Sequence, residues 1–171
     1  MYSITQRANT IICFGGMVLF GVLLLNVLSR AFFPNHVDVD IKLNSVTRLN
    51  KRNSIEYAEV HFDLQTDLRP LFNWNTKMLF LYVVAEYQTK QNVISQEVLW
   101  DHILMDKEKA NIDVKNIFKY YLVDQGLGLR NNTINLTFNY NVIPISGLLT
   151  RHKDGSHQFK LNDRYLLDKY Y

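Results

Sequence analysis

Cysteine is nearly absent from the sequence, since Cys13 is the single one and lies in an apolar stretch near the N-terminus. One cysteine excludes a disulfide within the chain and a zinc site built on cysteines. The sequence also lacks a glycine-rich phosphate loop and a Gly-x-Ser-x-Gly nucleophile motif. None of its five histidines has metal-binding spacing to another. The sequence therefore predicts no catalytic residue, no metal site and no cofactor.

Negative charge is missing from the N-terminal part of the chain, where all 16 acidic residues lie after residue 37. Of the 19 basic residues, only Arg7 and Arg30 lie within the first 31 residues, so the rest of the chain is close to neutral. No basic face or run stands out, although the formal net charge is +3. Nucleic-acid binding is therefore not predicted.

One long apolar run is present, at residues 11–28, with the sequence IICFGGMVLFGVLLLNVL. As a helix it would span about 27 Å, against a hydrocarbon core of roughly 30 Å. We expect a transmembrane helix over residues 11–30, preceded by a short tail of residues 1–10. A cleaved signal peptide is the alternative, because Ser29-Arg30-Ala31 has a small-x-small pattern, but the apolar run exceeds the usual length of about 7–15 residues.

The remainder, residues 31–171, alternates apolar and polar residues with the period of half-buried strands. A continuous apolar run at 78–87 predicts a central strand. Further strands are predicted at 37–43, 58–64, 93–104, 118–123 and 134–142. Seven or eight short strands with almost no helix predict an all-β protein, in which a β-sandwich follows the single helix.

The segments between these strands predict turns and loops. Residues 48–55 are polar and predict a loop, and residues 68–72 predict a helical turn. Residues 106–116 are polar and predict a short helix. Asp154-Gly155 predicts a hairpin turn that joins a strand at 147–151 to one at 158–161.

Two N-glycosylation sequons lie close together, at Asn131-Asn132-Thr133 and Asn135-Leu136-Thr137. Both are compatible with a domain on the lumenal side of a membrane. Asn131 is the favoured acceptor, because it follows a glycine-containing turn, whereas Asn135 falls inside a predicted strand.

A strong resemblance to the signal peptidase complex subunit 3 family is carried by residues 61–89, HFDLQTDLRPLFNWNTKMLFLYVVAEYQT. Residues 98–103, VLWDHI, are similar to the family's Trp-Asp-Lys-Ile motif, with His102 in place of the lysine. A third match is LTFNYNVIP at residues 136–144, followed by Gly-Leu-Leu at 147–149. The resemblance covers nearly the whole chain and is weakest after about residue 150.

The resemblance implies a single-pass type II protein of the endoplasmic reticulum membrane, with a cytosolic tail and a lumenal sandwich. It implies an accessory subunit that helps to remove signal peptides by positioning a separate catalytic subunit. That catalytic family has a Ser-Met-x-Pro motif, and no serine in this sequence is followed by methionine. The implied partners are the catalytic subunit, the small membrane subunits and the lipid bilayer. The translocon is a further candidate partner.

Three aromatic residues are the expected partner contacts: Phe72 and Trp74 in the FNWN stretch, and Trp100. Phe72, which follows the turn begun by Pro70, is expected to pack in the core. For Trp74 the sequence does not decide between a core position and a partner contact. An alternative function is a membrane-anchored lectin-like or receptor-like sandwich. Purification in mild detergent distinguishes the two, because only an accessory subunit would bring down a stoichiometric protease complex.

Overall fold

The computed structural model describes residues 3–166, and its first element is a long helix, α1, at Ile4–Ser29. Ser3 caps this helix, because its hydroxyl oxygen accepts a hydrogen bond from the backbone N–H of Gln6. The cap starts the helix well before residue 11, so polar residues such as Arg7 extend it beyond the apolar run. The helix is long and apolar enough to cross a membrane, and its apolar stretch is not buried against the rest of the described chain.

After α1, residues 3–166 contain eight strands, as the alternation of the sequence predicts. The strands are β1 (Val39–Arg52), β2 (Ile55–Asp67), β3 (Thr76–Tyr87), β4 (Ser95–Leu104), β5 (Asn111–Ile117), β6 (Leu122–Asp124), β7 (Thr133–Pro144) and β8 (Thr150–Lys160). Three 3-10 helices lie at Arg30–Phe32, Arg69–Leu71 and Lys107–Lys109. The second and third confirm the predicted helical turn at 68–72 and the predicted short helix within 106–116.

The strands form two four-stranded antiparallel sheets. In the first sheet, β2 pairs with β1 on one side and with β5 and β6 in succession on the other. In the second sheet the order is β4-β3-β7-β8, so the apolar strand β3 is central, as predicted. The all-β sandwich after a single apolar helix is therefore confirmed.

The hydrophobic core lies between the two sheets and follows the alternation of the strands. The second sheet contributes alternate residues of β3 and β7, which are at most 6% exposed: Leu79, Leu81, Val83, Ala85, Tyr87, Ile134, Leu136, Phe138, Tyr140 and Val142. From the first sheet, β2 contributes Ala58, Val60, Phe62 and Leu64, all 1% exposed or less. Burial of such side chains is the main term that stabilises the sandwich, at about 1.5–3 kcal/mol for a large one.

The predicted loop at 48–55 is wrong, because β1 continues to Arg52 and the turn is reduced to Asn53 and Ser54. The polar residues of this segment pair across the sheet instead of forming a loop: Arg48 lies opposite Glu59, and Lys51 lies opposite Glu56. Opposite charges directly across a strand pair, as at Arg48 and Glu59, favour such pairing.

The predicted hairpin turn at Asp154-Gly155 is also wrong. β8 runs through both residues, and a β-bulge lies there, opposite Thr137 and Phe138. Gly155 has φ +70°, and a Cβ on it would lie 2.8 Å from Cβ of Val39, so the bulge requires glycine at this close approach. The connection between β7 and β8 is the loop of residues 145–149.

The segments 106–116 and 118–123 also differ from their predictions. Residues 111–117 form β5, although the polar composition of 106–116 predicts a short helix there. The strand is polar because only its Ile112 and Ile117 are buried. The segment 118–123, predicted as a strand, forms one only at its end, where β6 begins at Leu122. Residues 118–121 instead place aromatic rings on the first sheet, where Phe118 stacks on His61.

Candidate membrane-proximal docking site

The two ends of the sandwich are defined by the point at which the chain leaves α1. β1, β3 and β8 begin at the end near the helix, and β2, β4 and β7 finish there. The loops at this membrane-proximal end are residues 68–75, 105–110 and 145–149. The loops at the distal end are residues 53–54, 88–94 and 125–132.

Arg30 joins the end of the helix to the sandwich. Its Nη1 donates a hydrogen bond of 3.0 Å to the carbonyl oxygen of Leu148, and its Nη2 donates to Thr150 Oγ1. Gly147 lies against the last turns of the helix, since a Cβ on it would be 3.2 Å from Val27 Cγ2. The β7–β8 loop is therefore held directly beside the C-terminal end of α1.

Asp154 fixes the linker that follows the helix. Its Oδ2 accepts 3.1 Å and 2.6 Å hydrogen bonds from the Val37 N–H and the Tyr140 hydroxyl, and its Oδ1 lies 2.8 Å from Nδ1 of His36. The Tyr140 hydroxyl also lies 2.6 Å from the carbonyl oxygen of Asn35. The linker between helix and sandwich is therefore bound to β8 along residues 35–37.

The electrostatics of this junction favour an ionised Asp154. Burial would raise its pKa, but hydrogen bonds from Tyr140, His36 and the Val37 N–H outweigh burial, so the pKa of Asp154 lies below its usual range. Burial and the neighbouring carboxylate raise the pKa of Tyr140, which stays protonated and able to donate. Burial and the nearby His36 and Arg30 lower the pKa of His152.

A groove of about 940 Å³ opens at the membrane-proximal end beside the linker. We call it the proximal groove; it is lined by Phe33, Phe72, Asn73, Trp74, Met105, Asp106, Lys107, Glu108 and Lys109. Trp74 is 60% exposed and Met105 is 63% exposed. The groove thus combines aromatic and thioether side chains, which are enriched at protein interfaces, with Lys, Glu and Asp side chains, which are more common at an interface rim than at its core.

The turn that carries Trp74 is built by the two asparagines around it. Asn73 Oδ1 accepts a 2.9 Å hydrogen bond from the backbone N–H of Asn75. The Asn75 side chain is 4% exposed; its Nδ2 donates to the carbonyl oxygen of Ser146, and its Oδ1 accepts from the Ser146 N–H. These bonds fix the turn, with the Asn75 side chain buried against the 145–149 loop and the Trp74 indole exposed.

The three expected contact residues lie in different settings. Phe72 is half-buried and packs against the core, as expected, and it also lines the proximal groove. Trp74 is the exposed member, which leaves its indole available at the groove. Trp100 lies on β4 outside this groove; it is half-buried against the core, and its ring stacks on His102 with centroids 5.8 Å apart.

Phe33 and Met105 complete the groove, although sequence reasoning did not single them out. They come from the linker and from the β4–β5 connection, which are far from residue 74 along the chain. Only the fold brings the three segments together, and neither residue carries a motif that would have marked it.

The two sequons differ in accessibility. Asn131 is exposed in the distal 125–132 loop, with φ 55°, and Thr133 of its sequon is also exposed. Asn135 is half-buried inside β7, and the Leu136 and Thr137 that follow it are both 0% exposed. The folded domain therefore presents the first sequon and conceals the second.

The potential metal ligands of the described residues do not gather at one place. Within residues 3–166, no group of three or more His, Cys, Asp or Glu side chains is placed to hold a metal ion. His36, His61 and His152 lie within hydrogen-bond distance of Asp154, Glu59 and Thr150 respectively. Of these, the His36–Asp154 contact joins the linker to β8, and the other two lie within β2 and within β8.

The fold defines a class of protein: a β-sandwich domain held against the end of one apolar helix. A family model described as "Signal peptidase subunit" matches residues 1–164. The chain belongs to the signal peptidase complex subunit 3 family, and it is an accessory subunit of that complex rather than the catalytic one.

Three curated relatives agree with this assignment over 97% or more of their lengths. Signal peptidase complex subunit 3 of Dictyostelium discoideum is 65% identical over 170 residues, which cover 99% of this chain and 100% of the relative. The protein of the same name from Drosophila melanogaster is 37% identical, with 96% and 97% of the two chains covered. That from Canis lupus familiaris is 31% identical, with 100% of both covered.

Family membership decides between the two functions that the sequence leaves open, in favour of the accessory subunit over a lectin-like or receptor-like module. It also means that the chain partners with other subunits of the complex. Subunits of this complex are membrane proteins of the endoplasmic reticulum, and α1 fits a single membrane span.

Proposed function

We propose that this subunit holds and positions the catalytic subunit at the lumenal surface of the endoplasmic reticulum membrane. Signal peptides are removed there from nascent secretory and membrane proteins. The observation that carries the proposal is the bound junction between α1 and the sandwich, made by Arg30 and Asp154. A partner docked near this junction is held at a fixed height above the bilayer, as cleavage at one site near the membrane surface requires.

The topology that goes with this function is single-pass type II. Residues 1–10 lie on the cytosolic side, residues 11–30, which include most of α1, serve as an uncleaved signal anchor, and residues 31–171 lie in the lumen. Two structural features support the anchor over a cleaved signal peptide. Arg30 binds the sandwich through Leu148 and Thr150, and the helix end at Val27 lies against the β7–β8 loop. Cleavage after Ala31 would remove both contacts.

The proximal groove is the proposed docking site for the catalytic subunit. Trp74 supplies the exposed anchor, and Phe72, which packs against the core, lines the same groove. Aromatic side chains dominate binding energy at interfaces when a partner covers them. Trp100, on edge strand β4, offers a second and smaller contact. The small membrane subunits and the translocon would meet the complex through membrane-embedded surfaces such as α1.

The function is tested by depleting the chain from cells that secrete a reporter with a cleavable signal peptide. Depletion is expected to accumulate the uncleaved precursor, and the intact chain is expected to restore cleavage and to co-purify with the catalytic subunit. Matched rescues use four variants, each with one of His36, His61, His102 and His152 replaced by alanine. A histidine variant that folded and assembled but did not restore cleavage of the precursor would contradict an accessory role.

Glycosylation at Asn131 is the prediction that reports on the lumenal location. Treating the protein from cells with an N-glycosidase should increase its gel mobility by one discrete step. The Asn131→Gln variant should lack this step, because the exposed sequon is lost. The Asn135→Gln variant is the matched control and should keep the step, since Asn135 lies within β7. An unchanged mobility of the wild-type chain would count against modification at either site.

A further inference from the structure

The β7–β8 loop exposes three large aliphatic side chains within five residues. Ile145 is 68% exposed, Leu148 is 83% exposed and Leu149 is 54% exposed. The loop contains no charged side chain, and its sequence is Ile-Ser-Gly-Leu-Leu. Phe32, just after the helix, is 89% exposed as well. Apolar groups clustered in this way mark a surface that is covered by another phase or by a partner.

The position of the loop indicates which of these covers it. Gly147 approaches Val27, which belongs to the apolar run of the spanning helix, and the Leu148 carbonyl binds Arg30 at the end of that helix. Gly147 has φ +105°, so the chain turns back at the point of closest approach to the helix. The apolar side chains of the loop therefore lie level with the last turns of the span, where the acyl chains meet the headgroups.

Four backbone polar groups of the loop are hydrogen-bonded within the protein. The N–H of Ile145 donates a 2.7 Å hydrogen bond to the carbonyl oxygen of Asn75. The N–H and carbonyl of Ser146 both bind the Asn75 side chain, at 3.0 Å and 2.9 Å. Arg30 satisfies the carbonyl of Leu148. Irregular backbone is tolerated at membrane depth only where its polar groups are paired or meet water, so these four pairs lower the cost of bringing the loop to the headgroup–acyl boundary.

We propose that the β7–β8 loop inserts Ile145, Leu148 and Leu149 into the headgroup–acyl boundary of the bilayer beside α1. The sandwich then has two membrane contacts, the helix and the loop. One helix alone leaves the helix and the sandwich free to tilt together in the bilayer. A second contact fixes which face of the sandwich lies toward the membrane. The inference rests on α1 crossing the membrane and not on which subunit occupies the proximal groove.

Spin labels on single cysteines test the insertion in the full-length chain. Cys13→Ser provides the cysteine-free background, and the chain is reconstituted in phosphatidylcholine nanodiscs alone and within the purified complex. Labels are placed through Leu148→Cys in the loop, Ser54→Cys in the distal β1–β2 turn, and Leu19→Cys in the helix. All three positions are exposed, so the changes leave the core intact. Collision with oxygen reports lipid, and collision with a water-soluble nickel chelate reports solvent.

The label at position 148 should favour oxygen over the nickel chelate several-fold more than the label at position 54, in the nanodisc and in the complex. Equal values at 148 and 54, with position 19 in lipid, would overturn the insertion and leave the proposed function standing. Shielding of position 148 from both reagents only in the complex would assign the loop to another subunit and also overturn it. A solvent-accessible position 19 would reject the spanning helix and both proposals.

Discussion

The Trp74→Ala variant is expected to bind the catalytic subunit about 30-fold more weakly than the wild-type chain. The indole is 60% exposed at the proximal groove and has few contacts to lose within its own domain. Truncating a central aromatic anchor at an interface costs about 2 kcal/mol or more, and about 1.4 kcal/mol corresponds to a factor of ten. Co-purification in mild detergent, with the amount of catalytic subunit measured per chain, checks the prediction.

The melting temperature of Trp74→Ala should stay within about one or two degrees of the wild type, because surface truncations change stability little. Ile94→Ala is the matched control, since it truncates a residue that is 71% exposed in the distal 88–94 loop. This control should leave both assembly and stability unchanged. A large drop in melting temperature with intact binding would instead show that Trp74 is part of the core.

The Asp154→Asn variant is expected to lose about 1–3 kcal/mol of stability at neutral pH, the usual cost of breaking hydrogen bonds to a largely buried charged group. Asp154 has a side chain that is 14% exposed, and it accepts hydrogen bonds from Tyr140 and the Val37 N–H. Thermal unfolding of the full-length chain in detergent should show a melting temperature lower by several degrees. The linker should also become more susceptible to proteolysis near residues 35–37.

The effect of this substitution should depend on pH in one direction. The folded protein lowers the pKa of Asp154 below its usual 3.8, so the stabilisation is fully present above that value. It is lost as the pH falls through the lower pKa of the folded state, where the carboxylate of the wild type takes up a proton. The wild type and Asp154→Asn should therefore differ at pH 7 and converge in strong acid. Asp113→Asn, which changes an exposed carboxylate on β5, is the matched control and should match the wild type at pH 7.

Sequence alternation predicts the strands well where every second residue enters the core. β7 shows this, because alternate residues from Ile134 to Val142 enter the core. β3 is marked instead by its continuous apolar run, and all residues at 81–85 are buried. The alternation fails where polar residues are paired across strands, as in the end of β1 up to Arg52. It also fails at Gly155, because Asp154-Gly155 fits a hairpin turn as well as a bulge, and the close approach of Val39 decides between them.

Buried polar residues were a further obstacle to prediction. Glu56 is in phase with the core residues of β2 and is 0% exposed. It accepts hydrogen bonds from the Leu129 N–H at 2.8 Å, from Arg130 Nε at 3.2 Å and from the Tyr165 hydroxyl at 2.7 Å. These partners come from distant parts of the chain, so local patterning does not reveal them. They hold the distal loop and the C-terminal segment against the first sheet.

The candidate site was predictable only in part. The FNWN stretch identified the family and marked Phe72 and Trp74, but the sequence left the environment of Trp74 open. The structure answers this through Asn75, whose side chain binds Ser146 on the neighbouring loop and leaves the indole outside. Long-range contacts of this kind depend on the fold, as does the arrival of Met105 at the same groove.

Photo-cross-linking at position 74 within the assembled complex tests the central claim most directly. A photoreactive amino acid replaces Trp74 in one chain and Ile94 in the control chain, and the adducts are identified by mass spectrometry. The account predicts that position 74 captures the catalytic subunit and that position 94 does not. Capture of lipid alone at position 74, or equal capture of the catalytic subunit at both positions, would contradict the claim that the proximal groove holds the protease at the membrane surface.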